Sequence, residues 1–135
     1  MDIILATGTI QYDSQDRRPG MGYMIAVDPS WLNLGAVRDD LHRGTIATAD
    51  RDLTFSELES LRLQGVLGAD WESAAISPVC SLNDVRWAVL RGISDVPHQP
   101  GPEDAARQIA DYTQNTPVIM ERLLKLLPAI LETTL

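Results

Sequence analysis

The sequence predicts an α/β fold of three layers, in which helices cover both faces of a mostly parallel sheet. Short runs of apolar and β-branched residues alternate along the chain with segments of helical periodicity. These runs lack regular polar alternation, which is typical of strands that are buried on both faces. Strands that are joined through helices pair in parallel by right-handed crossovers. The whole chain, residues 1–135, is predicted to form one domain.

The predicted strands are short apolar runs that end at glycine, proline or polar residues. Two segments rich in turn residues, 8–30 and 96–102, are predicted to be loops. The glycines of the third strand weaken its prediction, since glycine has no side chain to pack. In chain order the predicted strands are residues 3–7, 44–48, 65–70 and 87–90.

The predicted helices follow start signals or apolar residues at helical spacing. Asp28 opens a helix-start signal before one such series, and Thr54 and Glu57 have the spacing of a capping box. Pro78 removes a backbone donor and is expected to kink its helix or shift the start of that helix. Pro117 is expected to break or kink its helix. In chain order the predicted helices are residues 28–41, 54–63, 72–82 and 103–131.

Composition excludes several classes of function. The net charge of −8 disfavours a nucleic-acid partner, because the phosphate backbone repels an acidic chain. One cysteine and two histidines argue against a disulfide framework and a metal site. The N-terminus has no secretory signal and no apolar run is long enough to span a bilayer, so we expect a cytoplasmic protein without a membrane partner.

Two acidic segments follow predicted strands, at residues 70–73 and at Ser94 and Asp95. In open α/β sheets ligands bind beyond the carboxyl ends of the strands. Carboxylates in that position bind sugar hydroxyls or transfer protons. A purely structural interpretation stays open, in which Asp70 or Ser73 caps a helix and Asp95 is a turn residue.

The two acidic segments belong to a pair of motifs that resembles the nucleoside phosphorylase superfamily. Residues 68–76 have the order acidic, hydrophobic, Glu, small, Ala, Ala, and residues 91–95 read Arg, Gly, Ile, Ser, Asp. The order and the interval between them resemble most closely the methylthioadenosine/S-adenosylhomocysteine nucleosidases. Residues 2–7 and 44–50 resemble two strands of the same family. The resemblance covers nearly the whole chain and corresponds to the C-terminal portion of the family's domain.

The resemblance implies a role for each of the two motif carboxylates. Asp95 aligns with the aspartate that protonates, or hydrogen-bonds to, N7 of the purine. Such a general acid prevents the base from leaving as an anion. Glu72 aligns with the glutamate that binds the ribose hydroxyls, where a carboxylate favours the developing oxocarbenium charge.

Four further residues take substrate-binding positions by the same resemblance. Trp71 replaces the hydrophobic residue that lies under the ribose, and Ser94 would orient Asp95 or the base. The backbone around Asp52 and Leu53 aligns with the segment that contacts the base. Asp52 departs from the family pattern, since an aromatic residue usually stands there.

The implied function is cleavage of the N-glycosidic bond of a purine nucleoside that is similar to methylthioadenosine or S-adenosylhomocysteine, without a cofactor. Hydrolysis and phosphorolysis share the roles of Asp95 and Glu72, so that choice stays open. The family's first strands, its phosphate or water site and its water-activating glutamate have no counterpart in the sequence.

That departure leaves two other interpretations open, a non-catalytic half-domain for nucleoside binding or assembly, and a truncated reading frame. An incomplete sheet exposes an edge and apolar faces, which recruit other chains. We therefore expect a homo-oligomer or a partner that completes the sheet.

Overall fold

A computed structural model describes residues 2–13, 24–35, 37, 41–101 and 104–131 of the chain. These residues form a single sheet with helices packed on it. In chain order the elements are β1 (Ile3–Gln11), β2 (Met24–Ala26), β3 (Leu41–Thr48), α1 (Phe55–Leu63), β4 (Val66–Asp70), α2 (Ser73–Leu82), β5 (Leu90–Gly92) and α3 (Asp104–Leu131).

The sheet is built around β1, which pairs with three other strands. On one side β1 runs parallel to β3 along its whole length, and β3 runs parallel to β4. On the other side two short strands pair antiparallel with β1, β5 with its first half and β2 with its second half. The parallel pairings are the longer ones, so the sheet is mixed but mostly parallel, as predicted.

The hydrophobic core lies on both faces of this sheet. Ile46 and Ala47 are successive residues of β3, so their side chains point to opposite faces. Each belongs to a separate buried cluster. The Ala47 cluster consists of Tyr12, Ala47, Ala49, Leu61 and Val66. The Ile46 cluster consists of Ile4, Ala6, Val27 and Ile46.

Helices cover both faces, which confirms the predicted three layers. Leu61 places α1 on the Ala47 face. Ile10 packs on that same face, so its neighbour Thr9 points to the opposite one. There the Thr9 hydroxyl donates to the Ser77 hydroxyl of α2 at 2.7 Å, in a buried contact. None of the described helices is long and apolar enough to cross a membrane.

Helix α1 begins where the capping signal in the sequence predicts. Its start is at Phe55, directly after Thr54. The Glu57 carboxylate accepts hydrogen bonds from the Thr54 N–H at 3.1 Å and from the Thr54 hydroxyl at 2.7 Å. The predicted helix over residues 54–63 is therefore confirmed, and its start is stabilised by the predicted pair.

The helix predicted over residues 28–41 is wrong. The Ser30 N–H donates to the Asp28 carboxylate at 2.9 Å, so this side chain forms a local turn instead of a helix start. Leu41 is the first residue of β3 and pairs with Ile3, and this tertiary pairing overrides the helical spacing. Residues 36 and 38–40 lie outside the described residues.

Other boundaries also differ from the predictions. The predicted loop 8–30 contains the end of β1 and all of β2, and its residues 14–23 lie outside the described residues. Of the fourth predicted strand, residues 87–90, only Leu90 lies in β5, and β5 runs antiparallel to β1. Neither Pro78 nor Pro117 breaks its helix, since Pro78 lies inside α2 and Pro117 lies inside α3.

Candidate functional site

A cavity of about 620 Å³ opens where β4 ends and the chain continues beyond β5. The three segments singled out in the sequence meet there, namely the loop before α1, the end of β4 and the residues after β5. All six candidate residues line this cavity: Asp52, Leu53, Trp71, Glu72, Ser94 and Asp95. Segments that are far apart in sequence therefore form one concave site.

Asp70 is the most extensively hydrogen-bonded carboxylate of the cavity wall among the described residues. Its Oδ1 accepts from the Thr48 hydroxyl at 2.6 Å and from the Ser73 N–H at 3.0 Å. Its Oδ2 accepts from the Arg91 Nε at 2.7 Å and from the Ser73 hydroxyl. Ser73 is the first residue of α2, so the bond to its N–H satisfies a backbone donor at the start of that helix.

Opposing effects act on the ionisation of Asp70. Burial raises the pKa of the carboxyl group, because it disfavours the charged form. The hydrogen bonds from Ser73 and Thr48 and the positive charge of Arg91 lower the pKa by more, so that it lies below its ordinary value. Asp70 is consequently a fixed negative charge at neutral pH.

Arg91 connects Asp70 to the candidate ribose-binding residue. Its Nη2 donates to the Glu72 Oε2 at 2.6 Å while its Nε binds Asp70. The Glu72 side chain is 54% exposed, and this ion pair holds it at the cavity wall. Arg91 stands in a sequence motif for which no role of its own was predicted. It follows Asp70 by 21 residues and Glu72 by 19, so no local spacing indicated either ion pair.

A second set of contacts surrounds Asp95. The Ser94 hydroxyl donates to its Oδ1 at 2.5 Å, and the Gln108 amide donates to its Oδ2 at 2.9 Å. From the same helix the Asn115 amide donates to the Ser94 carbonyl at 2.6 Å. Neither Gln108 nor Asn115 was predicted from the sequence. No local signal marks them, because a carboxamide on an amphipathic helix is an ordinary feature.

The loop before α1 brings Asp52 and Leu53 to the cavity, and a neighbouring ion pair anchors it. The Arg51 Nη1 donates to the Glu57 Oε2 at 2.8 Å, and the Arg51 guanidinium lies 5.6 Å from the centre of the Tyr12 ring. The hydrogen bonds from Arg51 lower the pKa of Glu57 to about 2.

Trp71 adds an apolar surface to this wall, since its side chain lines the cavity and is 62% exposed. No group of three or more His, Cys, Asp or Glu residues in the described parts of the chain is arranged to hold a metal ion.

The cavity is concave, lined by carboxylates and partly apolar, which is typical of small-molecule sites. The sequence model of the phosphorylase superfamily matches residues 1–132 of the chain. The chain therefore belongs to that superfamily. This confirms the family that the paired motifs indicated. A comparison with curated proteins found no match.

Solved structures share this fold at low sequence identity. The methylthioadenosine/S-adenosylhomocysteine nucleosidase of Helicobacter pylori, solved with butyl-thio-DADMe-Immucillin-A, is 20% identical at a TM-score of 0.69. The corresponding Streptococcus pneumoniae enzyme, solved with 8-aminoadenine, is 18% identical at 0.68. For both, the match covers 96% of this chain and 61% of the other.

Futalosine hydrolase of Helicobacter pylori is 21% identical at a TM-score of 0.68, and the match covers 96% of this chain and 60% of that enzyme. The chain thus spans about three fifths of the length of these structures.

Proposed function

We propose that the site cleaves the N-glycosidic bond of a purine nucleoside related to methylthioadenosine or S-adenosylhomocysteine. The observation that carries the proposal is the convergence of Glu72 and Asp95 on one cavity of about 620 Å³. That volume lies in the range of small-molecule sites. The names of the structural neighbours and the family of this chain support the same class of substrate.

Asp95 is proposed to act as the general acid. When the bond between the ribose and the purine breaks, its electron pair moves onto the base, and the base leaves readily only if N7 accepts a proton. Both oxygens of Asp95 accept hydrogen bonds, one from the Ser94 hydroxyl and one from the Gln108 amide, so the orientation of the carboxyl group is fixed from two sides. A carboxyl group held in this way suits proton transfer.

Glu72 is proposed to bind the ribose hydroxyls. A carboxylate accepts from two hydroxyls at once, and its charge favours the positive charge that develops on the ribose during bond cleavage. Arg91 fixes one oxygen of Glu72 at 2.6 Å, which orients the carboxylate before the substrate arrives. Trp71 would supply an apolar surface under the ribose, and Asp52 and Leu53 would contact the base.

The proposal is tested by measuring the release of adenine from methylthioadenosine with the wild-type chain and with Asp95→Asn. Because general acid catalysis contributes roughly 10²- to 10⁴-fold, we expect the substitution to lower the rate by at least about 100-fold. Asp84→Asn is the matched control, because Asp84 follows α2 and does not line the cavity. A rate that requires phosphate indicates phosphorolysis, and a rate independent of phosphate indicates hydrolysis.

Equal rates for the wild type and Asp95→Asn would show that this chain is not an enzyme of the proposed kind. Binding of methylthioadenosine, measured by calorimetry under the same conditions, then decides the alternative. Binding that is lost in Glu72→Gln and kept in Glu121→Gln would indicate a nucleoside-binding domain without turnover. Glu121 is a suitable control, because it is exposed and pairs with Lys125 on the same helix.

We also propose that the chain self-associates or binds a partner along its sheet. In the described sheet β4 is a terminal strand, with β3 as its neighbour. Terminal strands offer unpaired backbone groups to other chains. Helix α2 adds an exposed apolar surface formed by Ile76, Val79 and Leu82. Light scattering tests this proposal, and a monodisperse monomer at micromolar concentration would contradict self-association.

A further inference from the structure

Helix α3 presents a row of polar side chains to the segment that contains Asp95. Gln108, Asp111 and Asn115 occupy positions i, i+3 and i+7, which lie on one face of a helix. Gln108 binds the Asp95 carboxylate and Asn115 binds the Ser94 carbonyl, at 2.9 and 2.6 Å. Asp111 lies 3.1 Å from the His98 ring nitrogen in the same segment. The helix thus fixes the segment at three points.

The helix also fixes the strand that precedes this segment. Ile119 is one turn further along the same face of α3 and is buried. It packs against Gly92, where an added Cβ atom would lie only 1.9 Å from the Ile119 Cγ2. The distance between α3 and the chain at residues 92–98 is therefore closely determined, and Gln108 is held at a defined position relative to Asp95.

The chemistry of Gln108 differs from that of the cation beside Asp70. A carboxamide both donates and accepts hydrogen bonds, whereas the guanidinium of Arg91 only donates. A carboxamide can therefore bind a carboxylate, and it can equally bind the neutral acid without drawing off its proton. The Ser94 hydroxyl at the other oxygen of Asp95 has the same property.

We propose that Gln108 is a positioning residue that holds Asp95 for proton donation to N7 of the purine in both protonation states. This inference rests on the proposed function. The Asp95 O–H bond breaks, its proton passes to N7, and the electron pair of the N-glycosidic bond moves onto the purine. C1′ of the ribose bonds instead to the oxygen of water, which releases a proton to solvent, or to an oxygen of phosphate in phosphorolysis. Asp95 is left as a carboxylate, which accepts the N–H of Gln108. Gln108 is neither consumed nor charged in the step.

Several charged or titratable groups also face this cavity and are kept constant in the test. They come from the residue after β1, the loop before α1, the end of β4, the β4–α2 connection, β5 and α3, and are Tyr12, Arg51, Asp52, Asp70, Glu72, Arg91 and Tyr112. The His98 and Asp111 pair lies next to Asp95 along the chain and on α3.

The test compares the dissociation constants of adenine and 7-deazaadenine, which differ at the atom that Asp95 is proposed to face. One hydrogen bond contributes up to about tenfold in affinity, so we expect the wild type to favour adenine by about tenfold. Asp95→Ala should abolish this preference. Gln108→Leu, which removes the amide, should reduce it to about threefold or less. Gln114→Leu is the matched control on an exposed position of α3 and should keep it.

Gln108→Lys separates the proposed role from simple tethering. Lysine can still donate to Asp95, but its charge favours the carboxylate form, which has no proton to donate to N7. We therefore expect Gln108→Lys to lose the preference for adenine as fully as Gln108→Leu does. Thermal melts followed by circular dichroism check that the variants fold, and both substitutions introduce good helix formers.

The outcomes distinguish this inference from the function on which it rests. If the wild type prefers adenine and Asp95→Ala does not, while Gln108→Lys keeps the full preference, Gln108 is only a tether and the inference is wrong. If Gln108→Leu keeps the preference, Gln108 has no role at Asp95. If the wild type does not distinguish the two bases, the proposed contact between Asp95 and N7 fails, and the inference fails with it.

Discussion

Asp70 and Asp95 line the same cavity, but the protein holds them by opposite means. Asp70 binds a guanidinium, two hydroxyls and the backbone N–H groups of Glu72 and Ser73, and its pKa lies below its ordinary value. Asp95 binds a hydroxyl and a carboxamide, which are both neutral. One carboxylate is thus kept ionised as part of the framework, whereas the other is oriented without a cation.

Arg91 links the fixed charge of Asp70 to the rest of the site. The guanidinium that holds Asp70 also binds Glu72, so the fixed charge of Asp70 positions the candidate ribose-binding group through Arg91. The Asp95 side of the cavity is positioned by α3 instead, through Gln108 and Asn115. The two sides are joined by β5 and the residues that follow it.

The largest loss of stability is expected from Gly92→Ala. It would affect both the Asp70 side and the Asp95 side of the cavity, because Gly92 lies between Arg91 and Ser94. The added methyl group would lie 1.9 Å from the Ile119 Cγ2, far inside van der Waals contact. Overpacking of this kind costs about 1–3 kcal/mol and sometimes more, and we expect at least about 3 kcal/mol here. Urea denaturation measures the loss in the free energy of unfolding.

Gly101→Ala is the control for that experiment. Gly101 is exposed in the loop before α3, and the nearest atom to an added Cβ there is a carbonyl oxygen at 3.8 Å. We expect its free energy of unfolding to change by less than about 0.5 kcal/mol. A loss from Gly92→Ala that is no larger than that of the control would show that α3 does not fix the position of β5.

The sequence could predict local contacts of the fold but not contacts between distant residues. The capping pair of Thr54 and Glu57 is local, so its spacing was sufficient to predict the start of α1. The motif residues could be placed at one site because the order of a family motif is readable from the chain. Strand β2 and the pairing of Leu41 with Ile3 depend on distant partners, and the helical spacing before Leu41 was misleading for that reason.

The residues that hold the candidate site were harder to predict than the site itself. Gln108 and Asn115 contact residues 13 and 21 positions away, and those contacts exist only because α3 packs on the chain after β5. A carboxamide on a helix is ordinary in a sequence, since nothing local distinguishes a positioning residue from a solvated one. The antiparallel direction of β5 was missed because alternation of strands and helices indicates parallel pairing.

A smaller effect, confined to the Asp70 side, is expected from Arg91→Met. The Arg91 side chain is 38% exposed and that of Asp70 is 7% exposed, so solvent partly screens the pair. Loss of a fully buried pair costs about 3–5 kcal/mol, and we expect about 1–2 kcal/mol here at pH 7. Arg62→Met, at an exposed position of α1, is the control.

The pH dependence of this variant tests the ionisation of Asp70. Because the pKa of Asp70 is lowered in the folded state, its ionised interactions stabilise the protein above the ordinary pKa near 3.8. That stabilisation is lost as the pH falls through the lower pKa of the folded state. The difference in the free energy of unfolding between wild type and Arg91→Met should therefore be complete at pH 7 and should shrink below about pH 4. A difference that stays constant down to pH 3 would contradict a charged pair.

The smallest loss of stability is expected from Glu57→Gln, which removes the charged partner of Arg51. It tests whether this more exposed ion pair stabilises the protein as much as the pair of Arg91 and Asp70 does. Glu57 and Arg51 are paired, but their side chains are 29% and 49% exposed, so solvent screens their charges more strongly. We expect less than half of the loss seen for Arg91→Met, with Glu59→Gln on the exposed face of α1 as the control. Since the pKa of Glu57 is lowered to about 2, its contribution should be present above about pH 4.5 and should disappear as the pH falls towards 2. If Glu57→Gln lowers the free energy of unfolding as much as Arg91→Met does, burial does not distinguish the two ion pairs. The Arg91–Asp70 pair would then have no special structural role compared with the Arg51–Glu57 pair.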